Sequence, residues 1–424
     1  MSYLDEELPI DLPLVDSSII KVIGVGGGGS NAVNHMYRQG ITDVSFVVCN
    51  TDNQALAKSP VPIKIQLGSN TTEGLGAGGN PEVAKRAAEE SIESIQSVLK
   101  ENTKMVFITA GMGGGTGTGA SPIVAKAAHD AGILTIGIVT IPFAFEGRKK
   151  IQQALEGVVA LSEHVDAILV INNEKLREIY PDLELSNAFA KADDVLTNAA
   201  QSIAEIITKA GYINTDFADV YSIMKNGNVA IMNTGFASGE KRITKAIDDA
   251  LNSPLLNTND VSGAGKILLS LYSSLQNQIR MEEINEVHQF METVGEDVDV
   301  IWGAFFDDTL GDNVKITLIA TGFDVSDIPG MPAKVKDKKK ETPVKSTIPF
   351  TVNDEPVVSE EDIKAEKERI IKQAMGQYYD NIEQEPEPEL EPEDDLPTFT
   401  LDDLEDEIKR ENIENEPAWK RQKK

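Results

Sequence analysis

Gly113-Gly-Gly-Thr-Gly-Thr-Gly119 lies between an apolar run with the character of a buried strand, Met105–Ala110, and a helix-like segment that starts at Ala120. Glycines let several backbone N–H groups converge on one anion with no Cβ atoms in the way. Thr116 and Thr118 add hydroxyl donors, and the helix that follows presents its positive end. The stretch reads as a phosphate-binding loop whose natural occupant is a nucleoside triphosphate. Flexible linkers are also glycine-rich, but they are not clamped between a buried strand and a helix. A second cluster, Gly24-Val-Gly-Gly-Gly-Gly-Ser-Asn31, follows the apolar run Ile19–Ile23 and opens another helix. Two such loops in one domain suggest a single nucleotide held from two sides.

Gly24, Gly26 and Gly29 also fit the G-x-G-x-x-G spacing of dinucleotide-binding units, with Asp43 and Asp52 downstream as ribose ligands. An NAD(P)-dependent oxidoreductase is therefore one alternative, although such a unit has no need of the loop at Gly113. The route of P-loop NTPases to magnesium is closed, because Gly265-Lys266 is followed by Ile267 and no G-x-x-x-x-G-K-[ST] occurs.

Apolar runs at Ile19–Ile23, Val44–Val48, Met105–Thr109, Leu134–Thr140 and Ala167–Ile171 alternate with helix-like segments. The pattern predicts an α/β domain over 18–185 with a mostly parallel sheet and helices on both faces. Over 186–210, Ala188, Phe189, Ala192, Leu196, Ala199, Ile203 and Ile206 recur at helical spacing up to the stop at Gly211, a central helix that needs burial along its length. Strands at Val229–Met232, Ile267–Tyr272, Val298–Ile301 and Val314–Ala320, with helices near Glu240–Leu251 and Met281–Val294, predict a smaller α+β domain over 211–323. Residues 1–17 read as a flexible N-terminal segment. From 324 to 410 the chain is polar, and Asp380–Glu407 holds fourteen Asp or Glu and no Lys or Arg, so self-repulsion keeps this linker extended and disordered.

The 424 residues, 41% hydrophobic, suffice for a core of two subdomains. No run is long enough to span a bilayer, and Asp5, Glu6, Glu7 and Asp11 make the N-terminus acidic where a targeting peptide is basic, which points to a cytoplasmic protein without direct membrane insertion. The formal net charge of −30 disfavours nucleic acid as a partner. Cys49 stands alone in an apolar stretch and reads as a buried strand residue. His35, His129, His164 and His288 are scattered, so no metal site of protein ligands is expected.

With Asn50-Thr-Asp52, Gly74-Leu-Gly-Ala-Gly78 followed by Asn80-Pro81, Pro142-Phe-Ala-Phe-Glu-Gly147 and Asn214-Thr-Asp-Phe-Ala-Asp219, the two glycine loops form an ordered set from about Ile19 to Gly322. In this set the chain resembles the tubulin/FtsZ GTPase family, and within it the bacterial cell-division members. The resemblance implies GTP or GDP as the bound nucleotide, with Mg2+ accompanying the triphosphate. It implies a phosphate cradle of Gly26, Gly27, Gly28, Asn31, Gly113, Gly114, Gly115, Thr116, Gly117, Thr118 and Gly119. Glu146 is similar to the family's ribose-contacting acid, and Lys150 falls where the family often has Arg, keeping the charge but losing bidentate geometry. Asn173 is similar to the residue that holds sugar and base, although Asn172 replaces the proline expected before it.

Phe189 and Asp193 are four residues apart and share a helix face, which lets the ring stack on a base while the carboxylate accepts from guanine N1–H and N2–H. From the residues alone, Phe189 as core and Asp193 as a solvated charge reads equally well; the resemblance favours the pocket. Asp216 and Asp219 have the spacing of a helix N-cap and its N3 partner, which accounts for both without catalysis. The resemblance implies instead that Asn214, Asp216 and Asp219 enter the next subunit's site and orient water for attack on the γ-phosphate. A protein of that kind polymerises head-to-tail and hydrolyses GTP only when assembled; a non-hydrolysing filament or regulatory paralogue is the other alternative. At 411–424, Glu416-Pro-Ala-Trp-Lys-Arg421 resembles the family's C-terminal docking peptide for membrane-tethering and regulatory division proteins.

Overall fold

Alternate residues of the strands are apolar toward opposite sides, which is what a sheet covered on both faces requires. The computed structural model describes residues 18–100, 102–180, 182, 184–209, 211–251, 263–294 and 298–323. The expected N-terminal segment 1–17, linker 324–410 and docking peptide 411–424 lie outside the described residues.

The strands β1 (Ile20–Val25), β2 (Ser45–Asn50), β3 (Ile63–Gln66), β4 (Met105–Gly111), β5 (Leu134–Ile141), β6 (Ala167–Asn172), β7 (Asn228–Ala237), β8 (Lys266–Ser273), β9 (Asp299–Phe306) and β10 (Val314–Phe323) form one sheet in the order 3-2-1-4-5-6-7-10-8-9. From β3 to β7 all neighbours are parallel. Then β10 runs antiparallel between β7 and β8, with β9 parallel to β8. The two halves meet at β6 and β7 through only two residue pairs, Ala167 with Asn228 and Ile168 with Val229. Each strand expected from the sequence is present; β3 is an addition.

The helices are α1 (Gly26–Arg38), α2 (Asn53–Lys58), α3 (Pro81–Glu90), α4 (Ile92–Leu99), α5 (Gly115–Asp130), α6 (Arg148–Ser162), α7 (Asn173–Ile179), α8 (Leu185–Thr208), α9 (Phe217–Met224), α10 (Arg242–Leu251) and α11 (Met281–Val294). On one face Val22, Phe107 and Ile136 pack with Ala32, Val33 and Met36 of α1 and with Leu196, Ala200 and Ile203 of α8. On the other face Ile23, Ile108 and Val139 pack with Val124 of α5, Val158 of α6 and Ile95 of α4. α8, the expected central helix, is 24 residues long, or about 36 Å at 1.5 Å per residue. Cys49 is fully buried in β2, and burial pushes its thiol up to about 12, which removes it from nucleophilic chemistry. No described helix is long and apolar enough to cross a membrane.

Candidate nucleotide site

In a sheet ordered 3-2-1-4-5-6, the chain leaves β1 toward β2 and leaves β4 toward β5, so a crevice opens between the carboxyl ends of β1 and β4. The sequence places its two glycine loops there: α1 begins one residue after β1, and α5 begins at Gly115, four residues after β4. Helix starts carry unsatisfied N–H groups and a positive end. The side chains of Asp52, Asn80, Asn172 and Asp216 cap α2, α3, α7 and α9. Val25 and Gly114, ahead of α1 and α5, provide no such cap, leaving donors for an anion at the crevice. α4, α6 and α8 also lack a side-chain cap, so the feature takes its meaning from the glycine loops around it.

The glycines serve two purposes. A Cβ on Gly119 would stand 2.0 Å from the Pro81 carbonyl oxygen, one on Gly117 2.4 Å from that of Gly111, and one on Gly26 2.6 Å from Gly117 N. These residues let α5 lie against the start of α3, and the two loops against each other. Gly27 and Gly114 have nothing within 4 Å of such a Cβ, and both are exposed. Among the described residues no packing requires glycine at either position, which leaves the space open for a ligand.

The loop after β3 closes one side. Gly76 N–H donates to the Thr51 carbonyl (3.2 Å), Asn53 N–H donates to that of Gly74 (3.0 Å), and Thr51 and Thr116 share a hydroxyl hydrogen bond of 2.7 Å. The Thr118 hydroxyl oxygen accepts the Gly113 N–H at 2.9 Å, so this buried threonine braces the loop from within.

The opposite rim is aromatic and acidic. Phe189, 40% exposed, meets the buried Phe143 edge-on at 5.2 Å, and Phe145 stacks on Phe143 at 5.1 Å. Glu146 accepts the Phe143 N–H (3.0 Å) and pairs with Lys150 at 3.4 Å. Asn173 is buried, and its Oδ1 has no hydrogen-bond partner among the described residues. Asn172, where proline was expected, caps α7 by accepting the Glu174 N–H at 3.0 Å. Glu174 is a positioning residue that the motifs do not reveal: buried and paired with Arg177, it accepts the Ala144 N–H at 2.9 Å and so pins the turn bearing Glu146 and Phe145. Asp193 is half-buried, and desolvation pushes its carboxyl up to about 6; the Asp194 charge adds to this and His35 opposes it.

Asn214, Asp216 and Asp219 are not in this crevice. About 28 Å of helix separates Phe189 from Thr208 at the end of α8, and the loop follows. Lys225, at the end of α9, pairs with Asp166 at 2.7 Å, and Asp166 accepts the Thr135 N–H at the amino ends of β5 and β6, opposite the crevice. Within the loop the capping box is complete. Asp216 accepts from Ala218 and Asp219 N–H (2.8 and 3.1 Å), Asp219 accepts the Asp216 N–H (3.0 Å), and Asn214 accepts the Gly211 N–H (2.6 Å). Among the described residues no group of three or more His, Cys, Asp or Glu side chains could hold a metal ion.

The Tubulin/FtsZ family GTPase-domain model matches residues 19–181, and the model of the FtsZ family C-terminal domain matches 228–324. A curated relative, Cell division protein FtsZ of Porphyromonas gingivalis, is 52% identical over 325 residues, 76% of this chain and 69% of its own length. The chain belongs to the tubulin/FtsZ GTPase family. A solved FtsZ dimer from M. jannaschii is 42% identical and superposes with a TM-score of 0.65, over 72% of this chain and 88% of that one. A GTPγS-bound CetZ2 protofilament from Haloferax volcanii, 18% identical with a TM-score of 0.61 over 72% of this chain and 94% of that one, shares the fold. As a tubulin/FtsZ GTPase the protein is a guanine-nucleotide-binding chain, which sets aside the dinucleotide oxidoreductase that Gly24, Gly26 and Gly29 left open.

Proposed function

We propose that this chain is a self-assembling cytoskeletal GTPase of bacterial cell division, working in the cytoplasm at the division site. Its subunits join head-to-tail, and the acidic loop of one completes the crevice of the next. The observation that carries this reading is the separation within one chain: the phosphate cradle at the carboxyl ends of β1 and β4, and Asp216 and Asp219 beyond the far end of α8. Side chains that far apart cannot meet on one nucleotide, whereas a copy stacked above brings the second set to the first.

In the crevice the amides of Gly26–Gly28 and Gly114–Gly117 cradle the phosphates, with Gly113 shaping the loop and Thr116 adding a donor at the rim. Asn173 and Glu146 hold the ribose, Phe189 stacks on the base, and Asp193 accepts from guanine. The donor set of amides and hydroxyls fits an anion; Mg2+ arrives with the triphosphate, held by its oxygens and water. Asp216 and Asp219 of the neighbour orient the attacking water, with Asn214 shaping the loop, so that hydrolysis waits on contact. A contact of this heterologous kind that does not close gives an open filament, and loss of the γ-phosphate weakens it. The chain's relatives, a cell-division protein of Porphyromonas gingivalis and an FtsZ dimer of M. jannaschii, support the setting. The peptide at 411–424 would tether the filament through membrane-bound and regulatory division partners.

The test is GTP turnover per subunit against protein concentration, with nucleotide binding measured separately. The shared site requires a threshold in the wild type; a rate per subunit flat with concentration defeats it. A chain that assembles with GTP but releases no phosphate at any concentration is the non-hydrolysing paralogue.

A further inference from the structure

His35 lies on α1, one turn past Asn31 and on the same face, and its Nε2 stands 2.8 Å from Oδ1 of Asp194 on α8. We infer that His35 is a positioning residue for base recognition: through Asp194 it ties α1, which opens at the phosphate cradle, to α8 and so fixes where Asp193 stands to receive guanine. This rests on the reading of Asp193 as the guanine acceptor.

A carboxylate only accepts, so His35 Nε2 carries the hydrogen. The Gln39 amide, 2.8 Å from the same nitrogen, must then turn its oxygen toward it. One ring nitrogen thereby gathers a side chain from each of the two helices. The other group facing Asp194 is Lys191, at 3.7 Å on α8 itself, so among the described ion pairs His35 alone links Asp194 to α1. The two helices also meet through Ala32, Val33 and Met36 against Leu196, Ala199 and Ala200, an apolar seam that sets their spacing but supplies no directional contact. The His35–Asp194 pair is about one-third exposed on each side, and ion pairs of that exposure contribute little to stability. Its consequence lies in orientation. Asp193 is the residue before Asp194, so a shift of the Asp194 backbone carries the Asp193 carboxylate with it. A misplaced acceptor loses the N2–H bond that tells guanine from the hypoxanthine of ITP, while phosphate binding to the glycine loops is untouched.

The experiment is equilibrium binding of GTP, ITP and XTP to the full chain, below any rise in light scattering, for wild type, His35→Leu, His35→Gln, Asp193→Asn and the double variant His35→Leu/Asp193→Asn. Asp193→Asn tests the underlying reading: GTP affinity should fall and XTP affinity rise, since the amide accepts N1–H and donates to O2. If GTP and XTP are unmoved, Asp193 is not the acceptor, and the inference falls with the reading. With that reading upheld, His35→Leu should narrow the preference for GTP over ITP by about fivefold to tenfold, His35→Gln should restore most of it by keeping a donor, and the double variant should show no further loss. Equal weakening of GTP and ITP binding, or full additivity in the double variant, would mean that His35 supports only the fold and would overturn the inference.

Discussion

The crevice between β1 and β4 presents donors that no side chain caps, whereas the loop from Gly211 to Asp219 presents acceptors that its own backbone already occupies. Both are preformed, but for different counterparts. A cradle with open positions at Gly27 and Gly114 is shaped around a ligand that diffuses in. An exposed loop held rigid by a capping box keeps its carboxylates in place until another surface arrives, which is what a contribution in trans requires. The difference reconciles the cap with the proposed catalytic role: on that proposal, the capping box orients the groups that the next subunit would use.

The largest effect should come from separating those two roles of Asp216. Asp216→Ser keeps an N-cap oxygen and removes the charge; turnover should fall about a hundredfold or more in a phosphate-release assay while GTP binding and melting temperature stay near wild type. Asp216→Ala should lose the same turnover and, in addition, about 1 kcal/mol of stability from the cap. Nearly equal turnover in Asp216→Ser and wild type would reduce Asp216 to its cap.

The two kinds of glycine can be set against each other in the same way. Gly114→Val meets open space, so the chain should melt normally yet bind GTP about a hundredfold more weakly by calorimetry, its side chain standing where phosphate belongs. Gly119→Ala should instead lower thermal stability, by at least the ~1–3 kcal/mol typical of overpacking, because its Cβ runs into the Pro81 carbonyl.

Acidity offers a finer probe. If Asp193 is the proposed guanine acceptor it must be ionised, and burial pushes its carboxyl up to about 6, so GTP affinity should weaken about tenfold per pH unit below that point. Asp193→Asn should flatten the profile. The stability of the nucleotide-free chain moves the other way. With the folded value raised above the ordinary 3.8, the contribution of Asp193 is fully present at low pH and is lost as pH rises from 3.8 to about 6. The smallest expected change is Asn172→Ala, which removes the α7 cap at a cost of about 1 kcal/mol in denaturant unfolding and leaves turnover near wild type.

Much of this was legible in the sequence because glycine runs and apolar periodicity are local signals. Both glycine loops, the length of α8 and the capping role of Asp216 could be read directly, whereas a part for Asp216 in a neighbour's site came only from the family resemblance. β3 was missed because four residues, Ile63–Gln66, give too short an alternation to stand out. That the strands join in one sheet through two residue pairs at β6 and β7 depends on long-range pairing with no local mark. Glu174 and the His35–Asp194 pair were invisible for the same reason: contacts across 30 and 159 residues leave no spacing to find. That the Thr118 hydroxyl oxygen also accepts the Gly113 N–H and so braces the loop has no mark in residue type.

The most direct test of the shared site mixes two variants that are each silent toward GTP alone. Asp193→Asn supplies intact acidic loops and takes XTP; Asp216→Ala supplies a crevice for GTP and a disabled loop. With both nucleotides present, GTP turnover should appear only in the mixture, at the roughly one quarter of contacts that face an intact crevice toward an intact loop in a random copolymer. GTP turnover by Asp216→Ala alone at the wild-type rate, or a mixture that assembles and stays silent, would contradict the account.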